Sequence, residues 1–213
     1  MQVALFGSGA PAFDARLPAI QRRTLSGGAW IEHHPGWLEG HQRVFEQLRL
    51  ETAWQSYRRQ MYEREVDVPR LVARAPSEGL MAELLAKLSA TLTERYRASL
   101  RGAALDNISL AYYRDGNDSV AFHGDKVGRL ADDTIVATVS VGAPRRFLLK
   151  PNVNAGSNHR LMAGSPSLAF DLGWGDLFVM GGSCQRTWQH AVPKRAHADP
   201  RISIMFRPPI PES

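Results

Sequence analysis

The chain has 213 residues, 44% of them hydrophobic and 22% charged, with a formal charge of +5. That length supports one domain with a full core, and the balance excludes a disordered segment. No apolar run approaches the ~20 residues of a membrane span. The opening MQVALFGSGAPAFDARL lacks a basic n-region, so no signal peptide is expected. A single cysteine, Cys184, rules out an internal disulfide and suits a reducing, cytoplasmic setting. No membrane contact is expected, and a monomer is.

Taken from the N-terminus, the chain reads as one domain over 1–213, with helical support in 1–105 and a β core in 106–208. The N-terminal third reads as mostly helical. Gln42 to Trp54 places Val44, Phe45, Leu48 and Leu50 on roughly one helix face. Arg58, Arg59, Arg64, Arg70 and Arg74 follow in one stretch with Tyr57 and Tyr62 among them. Basic residues beside stacking aromatics suit nucleic acid, although Glu63, Glu65 and Asp67 dilute the charge. Ser77 is placed to cap a second helix carrying Leu80, Met81, Leu84, Leu85, Leu88, Leu92 and Tyr96.

From Asp106 the texture changes to short runs punctuated by Gly, Pro, Asn and Asp. Strands are expected at Ile108–Arg114, Ser119–His123, Thr134–Val141, Arg145–Lys150, Ser167–Leu172, Asp176–Met180, Thr187–Val192 and Arg201–Arg207. Short strands in such number indicate a sandwich or barrel. The fold class is therefore α+β: a jelly-roll core with N-terminal helices packed on one sheet.

His123-Gly-Asp125 puts an imidazole and a carboxylate on one face of a strand end. His190, 67 positions downstream, is available as a third ligand. Two histidines and one carboxylate make the facial triad of non-haem Fe(II) oxygenases, but they also suit Zn(II). On Arg201-Ile-Ser-Ile-Met-Phe-Arg207 the two arginines are six residues apart and share a face. Two inward cations need anions, and 2-oxoglutarate offers a carboxylate to a guanidinium and another to a metal.

The ordered series Tyr113, His123-x-Asp125, His190 and Arg201-x5-Arg207 resembles the AlkB family of Fe(II)/2-oxoglutarate dioxygenases. The segments AYYRDGNDSVAFHGDK and GWGDLFVMGGSCQRTWQHAVPK look like its strand–turn–strand before the first ligands and its strand carrying the distal histidine. The resemblance implies a double-stranded β-helix that binds Fe(II) through His123, Asp125 and His190. Arg201 and Tyr113 would hold the distal carboxylate of 2-oxoglutarate, and Arg207 the carboxylate near the metal. It further implies that O2 and 2-oxoglutarate are consumed while an N-methyl group is oxidised and leaves as formaldehyde. RRQMYEREVDVPRLVA is similar to the family's nucleotide-recognition lid, so methylated DNA or RNA is the expected partner, with DNA repair as the role.

Substrate contacts are expected from Trp188, which shares a strand face with His190, and from Tyr62, Arg58 and Arg59. Departures from the family pattern stand at Ala111, Ser203 and Val127, and ARAPSEG supplies no base-stacking aromatic. They keep open a dioxygenase acting on a small molecule, protein side chain or modified RNA, with a silent nucleic-acid-binding module behind it. His33, His34, His41, His159 and His197 show no ligand pattern and are expected at the surface or at caps. Cys184, beside two glycines, is expected in a buried turn.

Overall fold

The computed structural model of the chain describes residues 9–17, 22–56, 58–61, 64–67, 69–125, 127, 133–152 and 165–209. In chain order these form β1 Ala12–Phe13, β2 Arg23–Thr24, β3 Ala29–His34, β4 Leu38–Glu39, α1 His41–Glu51, β5 Arg58–Met61, β6 Arg64–Asp67 and β7 Leu71–Arg74. There follow α2 Gly79–Arg95, α3 Arg97–Leu100, β8 Asn107–Tyr113, β9 Val120–His123, β10 Val136–Gly142 and β11 Arg145–Pro151. The last elements are β12 Leu168–Leu172, β13 Asp176–Gly182, the single turn α4 Cys184–Thr187, β14 Trp188–Val192 and β15 Arg201–Arg207.

Two antiparallel sheets face each other. The larger runs β2-β3-β13-β10-β15-β8-β7 and the smaller β12-β11-β14-β9. Strand neighbours are mostly distant in sequence, as a jelly roll requires. Every residue of β10 is buried, because both faces of the large sheet are covered. Its outer face presents Val139, Val141, Val179, Ile202, Ile204 and Phe206 to Val44, Phe45 and Leu48 of α1 and Leu85, Leu88 and Leu92 of α2. Each such side chain contributes about 1.5–3 kcal/mol by leaving water. The inner face packs Tyr113, Val136, Phe178 and Met180 against Phe147 and Leu149 of the small sheet. The helices thus stiffen one sheet from behind and leave the space between the sheets for chemistry.

All eight strands expected after Asp106 are present, with ends shifted by no more than two residues. Both helices expected in the N-terminal part are present as α1 and α2, but the described residues up to Arg74 also hold seven short strands, so the region is not mostly helical. In β3 the polar Glu32 and His34 are buried beside apolar positions, so no polar-apolar alternation marks the strand. Ser77 caps nothing: Glu78 occupies the N-cap of α2 in an extended conformation, without a side-chain hydrogen bond. His34 and His41 are buried, contrary to expectation. His34 lies 3.6 Å from Glu32 Oε2. His33 is half-buried beside Asp176, His197 is exposed, and His159 lies outside the described residues.

Candidate metal centre

β9 and β14 are hydrogen-bonded neighbours, and His190 is the register partner of His123. That pairing brings two histidines 67 positions apart into contact, with ring centroids separated by 4.3 Å. Asp125 completes the group: its Oδ1 lies 3.8 Å from His123 Nε2 and 3.9 Å from His190 Nε2. One donor atom from each of the three lies within 4.8 Å of the others, which is the spacing a single metal ion needs.

The groups around the donors orient them. His123 Nδ1 stands 2.8 Å from the Ala121 carbonyl oxygen, a contact that requires the proton on Nδ1 and leaves Nε2 a lone-pair donor. Asp125 Oδ2 accepts from Arg207 Nε at 2.7 Å, and Arg207 Nη1 donates to Ser109 Oγ at 2.6 Å. Burial alone would raise the Asp125 carboxyl, but the Arg207 charge, aided by His190 and His123, holds it at about 2. Burial pushes His190 down to about 3, so its ring is neutral and ready to bind a metal. A carboxylate and two imidazoles are the donor set a divalent iron takes.

Two further contacts were not foreseen from sequence. The backbone N–H of Asp125 donates to Gln185 Oε1 at 2.9 Å, and a Cβ on Gly124 would run into the Gln185 carbonyl oxygen. Gln185 sits on α4, between the turn after β13 and the histidine strand. Its part is invisible in sequence because only the fold brings α4 beside His123-Gly-Asp125. Cys184, also on α4, is buried, and its thiol is pushed up to about 12 by burial and the Asp125 charge.

A cavity of about 370 Å³ opens from the metal ligands. Its walls include Ser109, Ala111, Tyr113, Thr138, Ser203 and Met205 from the large sheet and Phe147 and Val192 from the small one. Ala111 and Ser203, two of the departures from the family pattern, thus stand in the cavity wall. Arg201, the register partner of Tyr113, adjoins that wall and is fully buried. Its Nη2 donates to Ser140 Oγ at 2.6 Å, yet Nε and Nη1 have no hydrogen-bond partner. Burial lowers this guanidinium to about 10, which still leaves it cationic at neutral pH. A fully buried cation with two idle donors is costly unless an anion joins it. The Tyr113 ring lies 5.6 Å from the Arg201 guanidinium and 5.7 Å from that of Arg145.

Arg145, at the start of β11, is fully buried and donates to the carbonyl oxygens of Asp115, Asp118 and Pro193. It is thus removed from any nucleic-acid surface. Trp188 does not line the cavity; its ring packs in the core between the sheets and its Nε1 donates to the Ser26 carbonyl at 3.0 Å. β14 pairs regularly with β11 from Trp188 to Ala191, so Trp188 keeps the face of His190 but spends it on core packing two residues along the strand. Arg58 and Arg59 lie on β5, paired with β6 in a two-stranded ribbon. Tyr62 lies outside the described residues.

A double-sheeted barrel that carries a facial triad and an unsatisfied arginine on its inner walls defines the non-haem iron class of oxygenase. The model of the 2OG-Fe(II) oxygenase superfamily matches residues 20–207, and the chain belongs to that superfamily, as an AlkB-type member. It is 34% identical over 104 residues to "Alpha-ketoglutarate-dependent dioxygenase alkB homolog 3" of Mus musculus, a match covering 47% of this chain and 35% of that protein. It is also 34% identical over 122 residues to "DNA oxidative demethylase ALKBH2" of Arabidopsis thaliana, covering 51% of this chain and 39% of that one. The chain therefore spans well under half the length of these curated relatives. A Pseudomonas putida prolyl-4-hydroxylase shares the fold, with TM-score 0.55 at 11% identity over 84% of this chain and 91% of the other. The family's Fe(II) and 2-oxoglutarate fit the residues present: a triad for the ion and idle Arg201 donors for a carboxylate. Among the described residues no helix is long and apolar enough to cross a membrane.

Proposed function

We propose that this chain is an Fe(II)- and 2-oxoglutarate-dependent dioxygenase that removes N-linked methyl groups from bases in nucleic acid, with DNA repair as its role. The carrying observation is the pair of idle donors on buried Arg201 beside a cavity that also holds the triad. The relative named as a DNA oxidative demethylase supports the choice of substrate. In this reading the whole chain is one catalytic domain, monomeric and cytoplasmic.

His123, Asp125 and His190 would hold iron, which when bound couples the oxidative decarboxylation of 2-oxoglutarate by O2 to oxidation of the methyl group. Arg201 would bind the distal carboxylate of 2-oxoglutarate, with the Tyr113 hydroxyl beside it. Arg207 keeps Asp125 ionised and aimed at the ion. The apolar walls Leu110, Val136, Phe147 and Met180 exclude water from the reacting groups. A base must be unpaired or flipped to reach the cavity, and Arg58, Arg59 and Tyr62 would form the lid that receives its strand.

A panel of methylated DNA and RNA oligonucleotides, assayed for formaldehyde release with Fe(II), 2-oxoglutarate and O2, tests this reading. Release from at least one member supports it. Release from none, with 2-oxoglutarate turnover stimulated by metabolites or peptides, moves the substrate to a small molecule or protein side chain.

A further inference from the structure

The large sheet builds its cavity wall in rows. Arg74 on β7, Ser109 on β8, Met205 on β15 and Thr138 on β10 are successive register partners, and all four line the cavity. Directly opposite residues on neighbouring strands share a face, so Arg74 belongs to the same wall as Ser109, which supports Arg207 and through it Asp125. β7 is the edge of the sheet, which makes Arg74 the outermost member of the row. Arg207 is committed to Asp125, the two idle donors of Arg201 are reserved in the reading above for 2-oxoglutarate, and Arg70 donates to the Ser119 carbonyl. The Arg74 side chain is exposed and, among the described residues, makes no hydrogen bond or ion pair.

At Arg74 the metal cavity meets two further concavities. One is bounded by Glu51, Gln55, Pro76 and Glu78, the other by Ser77, Leu85, Asp106 and Ile108, and Arg74 lines both. An uncommitted guanidinium thus stands at the mouth of the cavity, and the carboxylates of Glu51, Glu78 and Asp106 border the surface beyond it.

We propose that Arg74 binds the phosphate joining the reacting nucleotide to its neighbour, and that the acidic walls end the anionic track there. This rests on the nucleic-acid reading above. With a base in the cavity, the sugar-phosphate backbone is left at the mouth, where a planar fork of N–H donors matches phosphate geometry. A strand continuing along Glu51, Glu78 or Asp106 would meet like charge, so the site selects a short unpaired stretch on this side.

The test uses a methylated trinucleotide, with formaldehyde release for kinetics and anaerobic titration for affinity. In Arg74→Gln, KM rises about tenfold and kcat stays within about twofold, while the slope of log affinity against log salt becomes shallower by ~0.7. Arg74→Lys recovers part of the loss, and Glu78→Gln shifts affinity the opposite way. When the trinucleotide's two phosphates are replaced one at a time by a neutral methylphosphonate, one of the two replacements erases the difference between wild type and Arg74→Gln. An unchanged KM in Arg74→Gln, with wild-type turnover intact, overturns the assignment and leaves the nucleic-acid reading standing. No turnover of any methylated oligonucleotide by the wild type overturns that reading itself and this assignment with it.

Discussion

Asp125 and Arg207 are locked together, Oδ2 to Nε at 2.7 Å, with both side chains almost out of solvent. The ligand's second oxygen is thereby occupied, and Oδ1 is left to face the two histidines. Arg207→Gln keeps a neutral hydrogen-bonding group but removes the charge that holds the carboxylate ionised. Its Fe(II) affinity should fall 10- to 100-fold, the usual loss when a group supporting a metal ligand is removed. Anaerobic titration with Fe(II) checks this, and an unchanged affinity would show that the pair does not support the ion.

His190→Ala leaves two donors and a void beside Phe147, whose ring stacks on the imidazole at 5.5 Å. Turnover should become unmeasurable while the circular dichroism spectrum stays that of the wild type. Activity retained in this variant would remove His190 from the ligand set.

Arg201 offers a test in which two readouts move in opposite directions. Arg201→Met replaces a half-satisfied buried cation by an apolar chain of similar length, so the ligand-free protein should gain stability, by roughly 1–4 kcal/mol. The same change should raise KM for 2-oxoglutarate at least thirtyfold, because a desolvated charge pair is worth about 2–5 kcal/mol when truncated. Urea unfolding and steady-state kinetics measure the two. A stability gain without a change in KM would place the co-substrate elsewhere.

Acid stability follows from Glu32. Its carboxylate accepts from Tyr96 Oη at 2.6 Å and Arg22 Nε at 2.9 Å. Burial opposes ionisation, but the neighbouring His34, the hydrogen bonds from Tyr96 and Arg22 and the Arg22 charge hold the group at about 2. The folded value lies below the ordinary carboxylate value, so the stabilisation is complete above about pH 4.5 and fades as pH falls toward 2. It amounts to about 3 kcal/mol. Glu32→Gln should flatten the acid limb of the stability profile in that window, and an unchanged limb in urea titrations would contradict the assignment.

The β5–β6 ribbon carries the remaining test of the partner. Replacing Arg58, Arg59 and Arg64 together with Gln should weaken oligonucleotide binding at all sequences and flatten its salt dependence by ~0.7–0.9 per lost phosphate contact. Uncoupled 2-oxoglutarate decarboxylation should persist. Salt-steep binding by this variant would shift the interface toward Arg146, Lys194 and Arg195.

The jelly-roll strands were legible because each alternates, or runs apolar, between Gly, Pro and Asp breaks. His123, Asp125, His190 and Arg201 were legible because their chemistry is unusual at their spacing. β3 escaped notice because its buried Glu32 is satisfied by a partner 64 positions away, Tyr96, which no local pattern reveals. Trp188 was misplaced for a related reason: an indole shows its type in sequence but not which backbone carbonyl it will find. Gln185 gave no signal at all, since it acts through its position on a single helical turn.

The wedge of α4 against Gly124 bears on how this protein can vary. The residue between the two ligands has no chemistry of its own, yet any side chain there would collide with the Gln185 carbonyl. Even Gly124→Ala must push β9 away from α4 and carry His123 and Asp125 with it. In a saturation library selected for activity, position 124 should therefore be as intolerant as the ligands on either side, and a change there could survive only beside one that moves α4.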